Sequence, residues 1–310
     1  MRVPGKVLSL ALGASTLLIS GALQAETRIV TSIKPVELIV SAIATEDMQT
    51  TSLVPPGSSP HNYSMKPSQR QALENADVIF WVGPDMESFL NRLLSGHEFS
   101  GRTVALMDTE QDHREDVNEE QYHDGGHGHG HDHSDGEDPH IWVDPELAIE
   151  MAETIRDALA ALEGVDAAAL NENLEQFKVS VRETDGNIRE RLMPARDISL
   201  FSYHEAFTRF AEHYELKLEG VLTLNPELSP GARHIAEIQA KLRNANHPCL
   251  LTEPQFNRQW WRSITEDLDV TFSTWDPLAT DIEVTPDGYN NFQQSIVDAV
   301  LECLPENTEH

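Results

Sequence analysis

Between residues 166 and 193 the apolar side chains Leu170, Leu174, Phe177, Val181, Ile188 and Leu192 recur at steps of 4, 3, 4, 7 and 4. That spacing keeps them on one face of an α-helix. Asp166 can cap its start and Pro194 can stop it. Unbroken, such a helix spans about 40 Å at 1.5 Å per residue. Gly186 lies inside it and weakens it, since a helical glycine costs about 1 kcal/mol. On both sides of this segment, short β-like runs alternate with amphipathic helices, the pattern of an α/β chain with parallel sheets.

Ahead of it, Arg28–Ile33, Gln49–Val54, Val78–Val82 and Thr103–Met107 read as extended. Pro35–Ala44, a helix capped by Ser68 and running to Asn75, Glu87–Leu94 and Pro145–Leu162 read as helical. Beyond it, Ile198–Tyr203, Leu216–Val221, Cys249–Thr252 and Val270–Thr274 read as strands, and Glu205–Tyr214, Ala232–Arg243, Phe256–Leu268 and Tyr289–Cys303 as helices. No repeat is evident in the residues themselves. The simplest assembly is two α/β lobes with mostly parallel sheets joined by one long α-helix: an N-terminal lobe over 26–163, the linking helix over 164–194 and a C-terminal lobe over 195–310.

Residues 1–25 read as a cleaved signal peptide. Arg2 and Lys6 form a basic start, Val7 to Leu23 is apolar, and Ala22-Leu23-Gln24-Ala25 offers a small-x-small cleavage site. The apolar run is short for a membrane span, which needs about 20 residues. The chain is thus expected to be secreted, its mature part starting near Glu26. With 22 basic and 52 acidic residues the net charge is −30. Such a charge repels nucleic acid and anionic lipid and draws in cations, although a solvated acidic surface also accounts for it. The two cysteines, Cys249 and Cys303, are most simply a disulfide in an oxidising compartment; a pair of zinc thiolates is the rival reading.

Between residues 108 and 138 the composition changes to Gly, Asp, Glu, Ser and His, which cannot build a core, and the segment is expected to be disordered. His113, His123, His127, His129, His131 and His133 fall inside it, and His140 just beyond, so that seven of the fourteen histidines occupy 28 positions. Packing does not explain this. Imidazole is the commonest protein ligand for borderline metals, and His-rich tracts read as metal-binding. Outside the tract, His61 follows a strand and a proline-rich turn, His140 precedes a helix, His204 ends a strand and Asp276 ends another. In open α/β sheets ligands bind beyond the C-terminal ends of strands. Three imidazoles and an oxygen suit four-coordinate zinc. Taken singly, each of these residues is as well explained as a capping, surface or turn residue.

Four blocks, in order, carry a resemblance: P-P-G-S-S-P-H-N-Y before K-P-S, P-H-I-W-V-D-P after the His-rich insert, F-S-Y-H-E-A-F, and the late D-P-L-A-T-D. Together they resemble the periplasmic zinc-uptake solute-binding proteins of ABC transporters, over about Arg28 to Cys303. The resemblance implies two α/β lobes, a rigid connecting helix and one metal in the cleft. It places the ligands on His61, His140 and His204, with Asp276 at a position that binds metal in some relatives. Manganese-selective relatives offer a carboxylate where this chain has His204, so zinc is implied. Some zinc members carry an acidic residue directly before the first histidine. Here Pro60 stands there, which leaves the fourth ligand open between Asp276 and water. The implied partners are the zinc ion and an inner-membrane permease with its ATPase; the implied cargo is Zn2+, the compartment the periplasm, and the protein a monomer that is not an enzyme. The tract histidines would be auxiliary weak sites. Two other functions stay open on the residues alone. Three histidines and a water also describe catalytic zinc, though without an H-E-x-x-H motif. A secreted zinc buffer would need only the tract.

Overall fold

The computed structural model describes residues 26–107, 137–223, 230–256 and 264–305. The expected signal peptide, the tract histidines His113 to His133 and most of the expected helix Phe256–Leu268 lie outside the described residues.

Among the described residues two four-stranded sheets organise the chain, one before and one after the long helix in sequence. The first is built from β1 (Thr27–Thr31), β2 (Met48–Ser52), β3 (Val78–Trp81) and β4 (Thr103–Ala105), in the order β2-β1-β3-β4. The second uses β5 (Leu200–His204), β6 (Leu218–Thr223), β7 (Cys249–Thr252) and β8 (Thr271–Thr274), in the order β6-β5-β7-β8. Every pairing is parallel. Both sheets therefore place their second strand outside their first, and the order reverses between the first and third strands. Such a reversal leaves a crevice beyond the strand ends where crossovers diverge. The structure thus holds an architectural repeat that the residues do not betray.

The inner strand β3 is apolar on both faces, as a helix-covered parallel strand can be; all four of its residues, Val-Ile-Phe-Trp, are buried. The covering helices of the first half are α1 (Lys34–Ile43), α2 (Pro67–Glu74), α3 (Ser88–Leu94) and α4 (Pro145–Ala160). Residue Lys66 rather than Ser68 caps α2, because Pro67 fits the first helical position and the Gln69 side chain reaches back to accept from the Lys66 amide at 2.7 Å.

The long helix α5 runs over Ala167–Arg191. Asp166 caps it by accepting from the amides of Ala168 and Ala169 at 3.0 and 3.2 Å. Its five periodic apolar residues, and Leu192 at its C-cap, are all buried. Gly186 does not interrupt it. The helix ends at Arg191, and Pro194 falls in a following 3-10 turn, Met193–Asp197. Asn173 ties α5 to the first half by donating to the carbonyls of Ile43 and Ala44, at 3.0 and 3.3 Å, at the C-terminus of α1.

The second half adds α6 (Thr208–His213), α7 (Ala232–Asn244) and α8 (Gly288–Leu301). The expected helix Glu205–Tyr214 opens instead as a 3-10 turn over Glu205–Phe207. Helix α8 crosses back and packs on α1 and α5 as well as β8. Gly288 allows this: a Cβ there would stand 2.8 Å from a methyl of Leu38. One core cluster consequently joins α1, α4, α5 and α8 and reaches both halves. The Cys249–Cys303 disulfide pins β7 to the end of α8, with Cα atoms 5.6 Å apart. Among the described residues no helix is long and apolar enough to cross a membrane.

Candidate metal centre

Three imidazoles meet between the halves. His61 sits in a 3-10 turn, Pro60–Asn62, after β2; its amide donates to Ser59 Oγ at 3.3 Å. His140 precedes the 3-10 turn Ile141–Val143 that leads into α4. His204 is the last residue of β5, at the strand whose flank reverses the sheet order. A nitrogen from each lies within 4.8 Å of the others. The ring centroids are 5.4 Å apart for His61 and His140, 5.6 Å for His61 and His204, and 4.9 Å for His140 and His204. His140 and His204 are almost wholly buried and His61 partly so. The free space, bounded also by Trp142, Phe256, Pro277 and Leu278, is about 10 Å3, the room of one water molecule or ion.

Two of the rings are held from behind. His140 Nδ1 lies 2.6 Å from Asp138 Oδ1, and His204 Nδ1 lies 2.6 Å from Glu253 Oε1. A carboxylate accepts, so each Nδ1 carries the proton and each Nε2 presents a lone pair to the cleft. Burial, aided by the neighbouring His140 and His204, pulls the His61 pKa down to about 3. Burial likewise lowers that of His140, against the pull of Asp138. Both rings therefore stay neutral, the form that binds a metal. Burial raises the Glu253 carboxyl, with the bonded His204 opposing it. For Asp138, burial is outweighed by the His140 hydrogen bond and charge, and its pKa lies below the usual carboxylate range.

Asp276 does not join this group. Its Oδ1 accepts from Gln255 Nε2 at 2.6 Å and from the Leu278 amide at 3.0 Å, and its Oδ2 accepts from the Thr280 amide at 2.8 Å. It thus closes the turn 276–280, in which Ala279 takes a left-handed φ of 51°. The carbonyls of that turn reach the first half: Trp142 Nε1 donates to Pro277 O, and Lys34 Nζ to Thr280 O, both at 2.8 Å. Cys249 and Cys303 are bonded to each other and offer no thiolate.

Sequence reasoning missed Asp138 and Glu253. Glu253 follows β7 directly, so the strand-end rule that singled out His204 could have found it. Asp138 stands two residues before His140 but reads as the tail of the acidic tract.

A two-lobed α/β chain with a nitrogen-lined crevice between parallel sheets is the architecture of a metal-binding solute receptor. The family model for the periplasmic component A of zinc-uptake complexes matches residues 29–303, and the chain belongs to that family. The high-affinity zinc uptake system protein ZnuA of Yersinia pestis is 32% identical, over 96% of this chain and 98% of that protein. That of Haemophilus ducreyi is 31% identical, over 91% and 94%. A crystal structure of ZnuA superposes with a TM-score of 0.67 at 21% identity, covering 88% of this chain and 99% of the other. The periplasmic zinc-binding protein TroA of Treponema pallidum gives 0.70 at 20% identity, over 89% and 99%. The binding protein FpvC of Pseudomonas aeruginosa in complex with Mn2+ gives 0.72 at 17%, over 91% and 100%. These last three show the fold.

Proposed function

We propose that the chain captures one Zn2+ ion on His61, His140 and His204 in the periplasm and delivers it to the permease of an ABC transporter driven by its ATPase. The observation that carries this is the convergence of three imidazoles on a space for one ion. The donor set supports zinc: three nitrogens and no carboxylate favour it over manganese, a harder cation better served by oxygen. Water is the fourth ligand in this reading, because both oxygens of Asp276 already accept backbone or side-chain donors. The enclosed site and the long helix α5 suit carriage rather than turnover: little lobe movement is needed, so affinity comes from a nearly preformed site. Residues 1–25 act as the cleaved leader, the mature chain works as a monomer, and His113 to His133 collect further zinc weakly. The halves 26–163 and 195–310 serve as working boundaries about the linking helix 164–194, with α8 crossing back.

Calorimetric titration tests the assignment. The intact chain binds one zinc tightly and others weakly; deleting Asp112 to Ser134 removes only the weak ones, and His204→Ala removes the tight one. Loss of the tight site on deleting the tract overturns the reading. Zinc-loaded protein should also stimulate ATP hydrolysis by its transporter, which a secreted buffer would not do.

A further inference from the structure

Chain order assigns His61 and His140 to the first half and His204 to the second, but the bonds of segment 138–144 point the other way. Arg209 of α6 donates from Nε to the Asp138 carbonyl at 2.9 Å, and from its terminal nitrogen to the same oxygen. Its Nε is also 3.6 Å from the Asp138 carboxylate. His213, at the other end of α6, faces Asp144 at 3.5 Å. Trp142 donates to Pro277. Tyr289 and Gln293 donate to the carbonyls of Trp142 and Val143, but α8 lies across both halves and does not discriminate. Among the described residues, no hydrogen bond or ion pair joins 138–144 to residues 27–107. By contrast, among the described residues the hydrogen bonds around His61 stay within the first half: its amide donates to Ser59 Oγ, Gln69 donates to Tyr63 Oη at 2.9 Å, and Tyr63 packs on Phe89.

We infer that His140 is fixed to α6 of the second half, so that the centre divides one plus two and His61 is the ligand that opening of the cleft withdraws. The inference rests on the zinc reading above. Zinc lands first on the pair His140 and His204, each already oriented by a carboxylate. His61 closes the shell last and leaves first. Arg209 is then a positioning residue, acting on the metal through Asp138 and His140 alone.

A double-mutant cycle on the full chain tests this, with zinc affinity measured by competition against a chromophoric chelator and followed by tryptophan emission, since Trp142 packs on His140. Arg209→Gln should weaken zinc about tenfold or more, the usual cost of losing an outer partner. Added to His140→Ala it should cost less than about twofold, and added to His61→Ala the full factor again, because only directly linked residues couple. Arg209→Lys, which keeps one donor for the Asp138 carbonyl, should recover part of the loss. If Arg209 acted by drawing the halves together, it would couple to His61 and add to His140→Ala, and that result overturns the inference. Metal-free melting checks each variant; should Arg209→Gln not fold, His213→Gln, which removes the other α6 anchor, takes its place in the same cycle. A chain in which none of the three histidine-to-alanine changes weakens zinc refutes the site itself, a different outcome from either.

Discussion

The Nε2 atoms of His140 and His204 stand 3.2 Å apart. With both Nδ1 protons given to carboxylates, two lone pairs face each other across that gap. Such a contact is repulsive between neutral rings and favourable around a cation. Two nitrogens on a tetrahedral zinc, each at about 2.0–2.1 Å, lie roughly 3.3 Å apart. The pair is therefore set at a ligand-edge spacing before the metal arrives.

Glu253 fixes the orientation of His204 through the contact with its Nδ1. Glu253→Gln should weaken zinc about 10- to 100-fold while the metal-free chain stays folded. Chelator competition measures the first and circular dichroism the second. An affinity unchanged within twofold would falsify the positioning role.

Asp276 holds the turn to which Trp142 and Lys34 bond. Asp276→Asn keeps one acceptor oxygen but loses the other, so the Thr280 or Leu278 amide is left without its partner, at a cost of about 1–3 kcal/mol. The expected result is a lower melting temperature with the tight zinc still bound. A chain that melts normally but loses zinc would make Asp276 a ligand after all.

His213 lies between Asp144 and Asp185, with Nε2 at 2.7 Å from the latter. Burial opposes its charge, but the two aspartates outweigh burial and raise its pKa. The folded value therefore exceeds the unfolded one, near 6.5. The stabilisation is complete below that value and is lost as pH climbs through the folded pKa. Melting temperatures of the chain and of His213→Gln should differ by a few degrees at pH 6 and converge at pH 9. A constant difference would mean that shape, not charge, is what His213 supplies.

The disulfide closes a loop across 54 residues, which in the chain-entropy model stabilises by about 4 kcal/mol. Cys303→Ser should lower the melting temperature of the metal-free chain. Zinc should raise it again, since ligand binding stabilises the folded state by mass action. Differential scanning calorimetry with and without zinc reads both effects; no rise on adding zinc would show that β7 had lost its hold on Glu253.

Much of the scaffold is legible in the residues because its causes are local. The 3.6-residue apolar period and the Asp166 cap specify α5, and the short apolar run Val78–Val82, rich in β-branched and aromatic residues, reads as a strand covered on both faces. Cys249 and Cys303, alone in the chain, left one simple pairing. Where competition between local signals decides, the residues mislead by two positions: Ser68 yielded the cap to Lys66 because Pro67 suits the first helical position.

Histidine as a residue type, and its placement beyond strand ends, was set by the sequence alone. Which nitrogens converge was not, because residues 61, 140 and 204 meet only once two separate sheets are packed about α5 and α8. The fate of Asp276 shows why. A carboxylate at a strand end can face an ion or its own following amides with similar local cost, and the choice depends on where the 276–280 turn is held by Trp142 and Lys34. The same holds for Asp138 and Glu253, whose partners lie two and 49 residues away. A short spacing and a long one gave equivalent bonds, so only packing could reveal that they do the same work.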